Sequence, residues 1–126
     1  MTESILSCEE LNVSYGPVHA VLGNNDGELA GRLPERLEVD VDGVRIAMVH
    51  DSGPRKGRPA RLHAMFPSAD VVVFGHSHLP VDEEGVGGQR LFNPGSPTER
   101  RQAPTKTMGL LVTDGGRLAE HRIVDV

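Results

Sequence analysis

Three apolar runs in this chain each stop at a polar side chain able to bind a metal, and that pattern constrains the fold more than any other feature. The first, Val18-His19-Ala20-Val21-Leu22, runs into Gly23-Asn24-Asn25-Asp26. The second, Val44 to Val49, runs into His50-Asp51, and the third, Val71-Val72-Val73-Phe74, runs into Gly75-His76-Ser77-His78. Short runs of aliphatic residues bounded by turn signals read as buried strands. Sites in α/β sheets form where strands end on one edge, so the three polar termini are expected to converge, each aimed by a rigid element.

The rest of the chain supplies partners for those strands. Leu37 to Val41 alternates apolar and acidic residues, as a half-exposed strand does, and Asp42-Gly43 is a tight-turn signal that returns the chain into Val44. Thr2 to Val13 reads as a short helix with Thr2 as its N-cap. Ser52 to Pro59, rich in Gly, Pro and basic residues, reads as a loop, and Ala60 to Phe66 as a second short helix. A hairpin is expected over Val81 to Phe92 around Gly85, Gly87 and Gly88. Another is expected from Thr107 to Thr113 and Arg117 to Val124, turning at Asp114-Gly115-Gly116. Aromatic residues are only 3% of the chain, so the core must be built from aliphatic side chains. These elements predict one domain over residues 1–126, a layered α/β arrangement whose C-terminal half is mostly strands.

A net charge of −5 argues against bulk electrostatic capture of nucleic acid. Two basic clusters, Arg55, Lys56 and Arg58, then Arg100 and Arg101, sit among Gly or Pro and read as loop residues. Each taken alone is a solvated loop, with contact to an anionic substrate as the functional alternative. Cys8 is the sole cysteine, which excludes an internal disulfide and fits a reducing cytoplasm. The N-terminus lacks the pattern of a signal peptide, and nothing approaches the roughly 20 apolar residues of a membrane span. The expected location is cytoplasmic, without membrane attachment.

The histidines divide by context. His76 and His78, two apart, would share a face on a continuous strand, whereas a turn after Gly75 would point them at neighbouring metals. Neutral imidazole is the commonest transition-metal ligand, and a pair directly after a buried strand favours that role. His19, inside a strand, His63, on a helix, and His121, in the last strand, lack such surroundings. Asn24 is a candidate oxygen ligand, and Asp26 either caps its loop or supports a ligand from behind.

Gly23-Asn24-Asn25-Asp26 resembles the Gly-Asn-His/Cys-Asp block of the calcineurin-like metallophosphoesterases, and Gly75-His76-Ser77-His78 matches their Gly-His-x-His block. Asn93-Pro94-Gly95-Ser96-Pro97 resembles the Asn-Pro-Gly-Ser segment of that family's small bacterial and archaeal phosphodiesterase branch, which is also related to a retromer subunit of the same fold. Each motif alone is weak, but the order and spacing agree from about Pro17 to the C-terminus. The resemblance implies that Asn24, His50 and His76 bind one metal and that His78 binds the other. It places Asn25 where many relatives carry a catalytic histidine, and Asn93 to Ser96 beside the site. It implies a divalent cofactor, Mn²⁺ first among Mn, Ni, Zn, Fe and Mg, and a small phosphoester, most readily a phosphodiester, hydrolysed by metal-activated water.

The sequence departs from the family pattern at two places. The Asp-x-His and Gly-Asp motifs that open the family fold and complete its first metal site do not occur, so a first strand, helix and second strand are expected to be missing. A misassigned start, a real truncation and completion by another chain each account for that, and open sheet edges predict a homodimer or swapped assembly. Where relatives read His-Gly-His, this chain reads His50-Asp51-Ser52, and Asp51 is either a replacement carboxylate or a solvated loop acid. The alternative to an enzyme is a family member that keeps the fold as a binding or scaffold module.

Overall fold

The structure, a computed structural model, describes residues 34–99 and 101–126 together with two short strands near the N-terminus. Those strands, β1 (Ser4–Ile5) and β2 (Val18–His19), pair in parallel. The expected helix over Thr2 to Val13 is therefore corrected at Ser4–Ile5, which is extended: pairing with a partner strand overrides a weak local helix preference. His19 lies in a strand, as its apolar neighbours predict.

Seven further strands follow: β3 (Arg36–Val41), β4 (Val44–Val49), β5 (Val71–Phe74), β6 (Val81–Glu84), β7 (Arg90–Asn93), β8 (Thr107–Asp114) and β9 (Arg117–Asp125). One helix, α1 (Arg58–Met65), links β4 to β5. Five strands form a mixed sheet in the order β3-β4-β5-β7-β6. Its interior is parallel, β4 with β5 and β5 with β7. Hairpin partners close each side antiparallel, β3 on β4 and β6 on β7. The separate hairpin β8–β9 lies over one face.

Alternation along β4 and β5 sorts the core into two layers. Ala47, Val49, Val72 and Phe74 point to the face covered by α1, where Leu62, Phe66 and Leu91 join them. Ile46, Met48, Val71 and Val73 point to the other face with Phe92, against Leu111, Leu118 and Ile123 of the hairpin. This explains why the two central runs are apolar at nearly every position: parallel strands covered on both sides have no solvent face. Full burial of Phe74 or Phe92 contributes about 2–3 kcal/mol each.

The loops obey local chemistry. The β3–β4 turn places Asp42 and Gly43 at φ 52° and 81°, and the Asp40 carboxylate accepts from the Gly43 amide at 2.9 Å. The β8–β9 turn uses Gly115 and Gly116, also left-handed, and its Gly115 amide donates to Asp42 at 3.1 Å. The two hairpin tips therefore touch, and a Cβ on Gly43 would lie 3.0 Å from Gly116 Cα. Helix α1 begins at Arg58, two residues before the expected start, because Pro59 is tolerated in a first turn. Arg58 is thus helical, which corrects its reading as a loop residue. No helix among the described residues is long and apolar enough to cross a membrane.

Candidate functional site

Because β4, β5 and β7 run parallel, their C-terminal ends share one edge of the sheet. His50 follows β4, Gly75 to His78 follow β5, and Asn93 closes β7. The edge is stitched at its start by the Gly75 amide, which donates to the His50 carbonyl at 2.8 Å. The rings of His50 and His76 stand edge to face, 5.4 Å between centroids and 84° between planes. Adjacent parallel strands have thus brought two imidazoles together from positions 26 residues apart in sequence, 76 minus 50.

Beyond Gly75 the chain leaves the strand, as a turn after that glycine would require. His76 and His78 both adopt left-handed backbone, φ 73° and 61°. Such a conformation costs a non-glycine residue about 1–2 kcal/mol, so its surroundings must hold it. Four contacts do. The Ser77 amide donates to Gly75 O at 2.9 Å. Asn93, fully buried, donates through Nδ2 to Gly75 O at 3.3 Å and accepts the Gly95 amide at 2.9 Å. Arg101 donates to the His76 carbonyl at 3.0 Å. The ring of His78, buried to 8% exposure, bonds through Nδ1 to the Glu99 carbonyl at 2.9 Å.

The last contact fixes a tautomer. A carbonyl only accepts, so Nδ1 of His78 carries a proton, which in the neutral imidazole leaves the lone pair on Nε2, the form a metal would bind. Ser96 in turn holds the Glu99 segment: its Oγ accepts the amides of Thr98 and Glu99 at 3.3 and 3.0 Å. The Asn93 to Ser96 segment therefore lies beside the histidine turn and supports it. Glu99 and Arg101 were not singled out as parts of this support from the sequence. Glu99 acts through its own carbonyl, which accepts from His78, and Arg101 through a bond to the His76 carbonyl, and backbone acceptors leave no local sequence pattern.

Asp51 faces His76, with Oδ2 at 4.0 Å from Nε2, while Oδ1 accepts the Gly53 amide at 2.8 Å. It is half exposed, both a loop brace and a carboxylate within range of the histidine. Asn24, Asn25 and Asp26 lie outside the described residues. Of the other histidines, His63 sits on α1, and His121 on β9 bonds Asp82 at 2.6 Å, away from this edge. The donor chemistry at the edge fits a divalent cation, with imidazoles on adjacent strand ends and a carboxylate beside them. Among the described residues, however, no group of three or more His, Cys, Asp or Glu side chains is gathered closely enough to enclose one.

A two-faced mixed sheet with imidazoles at its parallel strand ends defines an α/β class in which chemistry sits on the carboxyl edge. Within that class the chain belongs to the calcineurin-like phosphoesterase superfamily, whose domain model matches residues 2–116. The solution NMR structure of a Thermotoga maritima protein is 29% identical, with a TM-score of 0.64 over 87% of this chain and 66% of that one. A novel archaeal phosphodiesterase is 24% identical, TM-score 0.66, over 86% of this chain and 68% of its own. Wild-type Vps29 of Entamoeba histolytica, complexed with Zn²⁺, is 23% identical, TM-score 0.64, over 87% and 68%. The last two likenesses concern the fold. The chain spans about two thirds of the length of each of these structures. No curated protein matches it in sequence.

Proposed function

We propose that the chain is a metal-dependent phosphodiesterase whose site is the carboxyl edge of the mixed sheet. The observation that carries this reading is the meeting of His50 and His76 at adjacent strand ends, rings 5.4 Å apart. His50 and His76 would hold one cation together with Asn24, and His78 would serve a neighbouring one. A divalent ion bound there would polarise phosphoryl oxygens and acidify a water. The protein's part is positional: Glu99 holds the His78 tautomer, Arg101 and Asn93 hold the turn, and Asp51 can orient His76. Asn25, in place of the histidine common among relatives, would serve as a hydrogen-bonding group at the leaving oxygen and would favour good leaving groups. Mn²⁺ heads the candidate ions, with Ni, Zn, Fe and Mg behind it, and the substrate is a small phosphodiester.

The test is hydrolysis of bis(4-nitrophenyl) phosphate with and without added Mn²⁺, beside His76→Ala. Metal-dependent turnover that the substitution removes is the expected result. Absence of turnover in a folded, Mn²⁺-loaded wild-type chain would sink it.

A second reading is favoured by one observation, that the described residues enclose no three-ligand group. On that reading the edge works only when a second copy supplies what it lacks, and a chain without one keeps the fold as a binding module. Light scattering on the metal-loaded chain separates the two: a monomer that turns over supports the self-sufficient enzyme, and activity confined to a dimer supports completion across an interface.

A further inference from the structure

The loop that leaves His50 carries Arg55 and Lys56, Arg58 opens the helix that follows, and a dedicated brace holds the shape of the loop. Arg61 on α1 reaches back and donates to three loop carbonyls, those of Ser52 at 2.7 Å, of Lys56 at 3.4 Å and of Pro54. Gly53 and Gly57 adopt left-handed backbone at φ 78° and 75°, and a Cβ on Gly53 would meet Arg61 Nε at 2.9 Å. Ser52 is buried beneath this arrangement, while Arg55 and Lys56 face solvent. One cation is thus consumed in building the loop, and the others are left outward.

Arg58 differs from both groups. Its guanidinium lies over the ring of Phe74, 4.9 Å from the centroid, and Phe74 is the last residue of the strand that delivers His76. A guanidinium held over a ring face keeps N–H groups free to bond elsewhere. Its Nε is buried and has no hydrogen-bond partner. A desolvated donor left unpaired is costly and calls for an explanation. Burial lowers the pKa of Arg58, Glu83 and Asp51 raise it, and Arg61 and Arg55 lower it further. The group remains a cation, partly buried beside two other cations.

We infer that Arg58, with Arg55 beside it, recognises a second anionic group on the substrate, so that the preferred phosphodiester carries a further phosphate away from the scissile one. This rests on the phosphodiesterase reading above. A planar fork held over a ring face matches a phosphate through paired hydrogen bonds. The attachment of its platform, Phe74, to the strand that bears His76 sets a constant distance between the two phosphate positions. The single positive charge of Lys56 adds attraction without direction.

The experiment compares thymidine 5′-(4-nitrophenyl phosphate) with its 3′-phosphorylated form, in wild type and in Arg58→Ala and Arg58→Lys. The wild type should prefer the doubly charged substrate, mainly through KM. Arg58→Ala should lower that preference about tenfold, the size of one charge-assisted hydrogen bond, and Arg58→Lys should restore only part. An unchanged preference in Arg58→Ala overturns the inference. If the wild type hydrolyses neither substrate, the phosphodiesterase reading has failed, and calorimetric titration of pyrophosphate into metal-free protein with EDTA decides the remaining question. Binding weakened about tenfold by Arg58→Ala in a chain of native circular dichroism supports the anion site, and unaltered binding overturns it.

Discussion

The two ends of the mixed sheet are built from the same strands and solve different problems. At the end where β4 and β5 begin, the backbone is closed on itself. The Asp70 amide donates to Arg45 O at 2.8 Å, the Arg45 amide to Asp70 Oδ2 at 2.9 Å, and the Arg90 amide to Asp70 O at 2.9 Å. Gln89, buried beside them, donates to the carbonyls of Phe66 and Ala69. At the end where those strands finish, backbone strain replaces closure. Three of the four non-glycine residues at positive φ among the described residues lie there, His76, His78 and Arg101, the fourth being Asp42 in a hairpin turn. One end thus contributes stability, and the other draws on it to hold side chains in costly positions.

That contrast can be broken by substitution. The largest effect is expected at His76→Gly, which removes an imidazole and relieves its φ of 73° at once. Metal-dependent turnover should fall at least about 100-fold, more than loss of a supporting group alone. The urea midpoint should hold or rise, by up to about 1 kcal/mol of stability. A large loss of stability would show that the turn is not strained. Next comes Gly95→Ala, where the new Cβ would sit 1.9 Å from Thr107 Oγ1 on backbone at φ 78°. Overpacking and a left-handed alanine together predict about 2–4 kcal/mol of destabilisation in urea titration. Smallest is Asp70→Ala at the closed end, which removes one acceptor from an exposed amide. It should cost about 1 kcal/mol and leave kcat/KM untouched. An activity loss there would mean that the two ends are coupled.

Much of the sheet was legible in the sequence because its signals are local. The alternation over Leu37 to Val41, the Asp42-Gly43 turn and the aliphatic run before Gly75 each state their conformation within a few residues. The strand-end rule then brought His50 and His76 to one edge without any contact being known. Two things were not legible. Ser4–Ile5 takes its form from a partner strand 14 residues away, Ser4 opposite Val18, which local propensity does not contain. Arg58 and Arg61 lie three positions apart in one basic stretch, yet one braces a loop and the other stacks on Phe74. Charge predicts that such residues face outward, but only the packed loop assigns them different work.

The hydrogen bond from Gly75 to the carbonyl of His50 makes the sheet a ruler for whatever lies between the two imidazoles. The His50 carbonyl is tied to the amide just before His76, so the backbone spacing of the two histidines is set by strand separation. On the proposed metal-binding reading, an ion whose radius suits that gap would meet donors already in place, and a larger one would be admitted only by turning an imidazole out of its position or by parting two hydrogen-bonded strands.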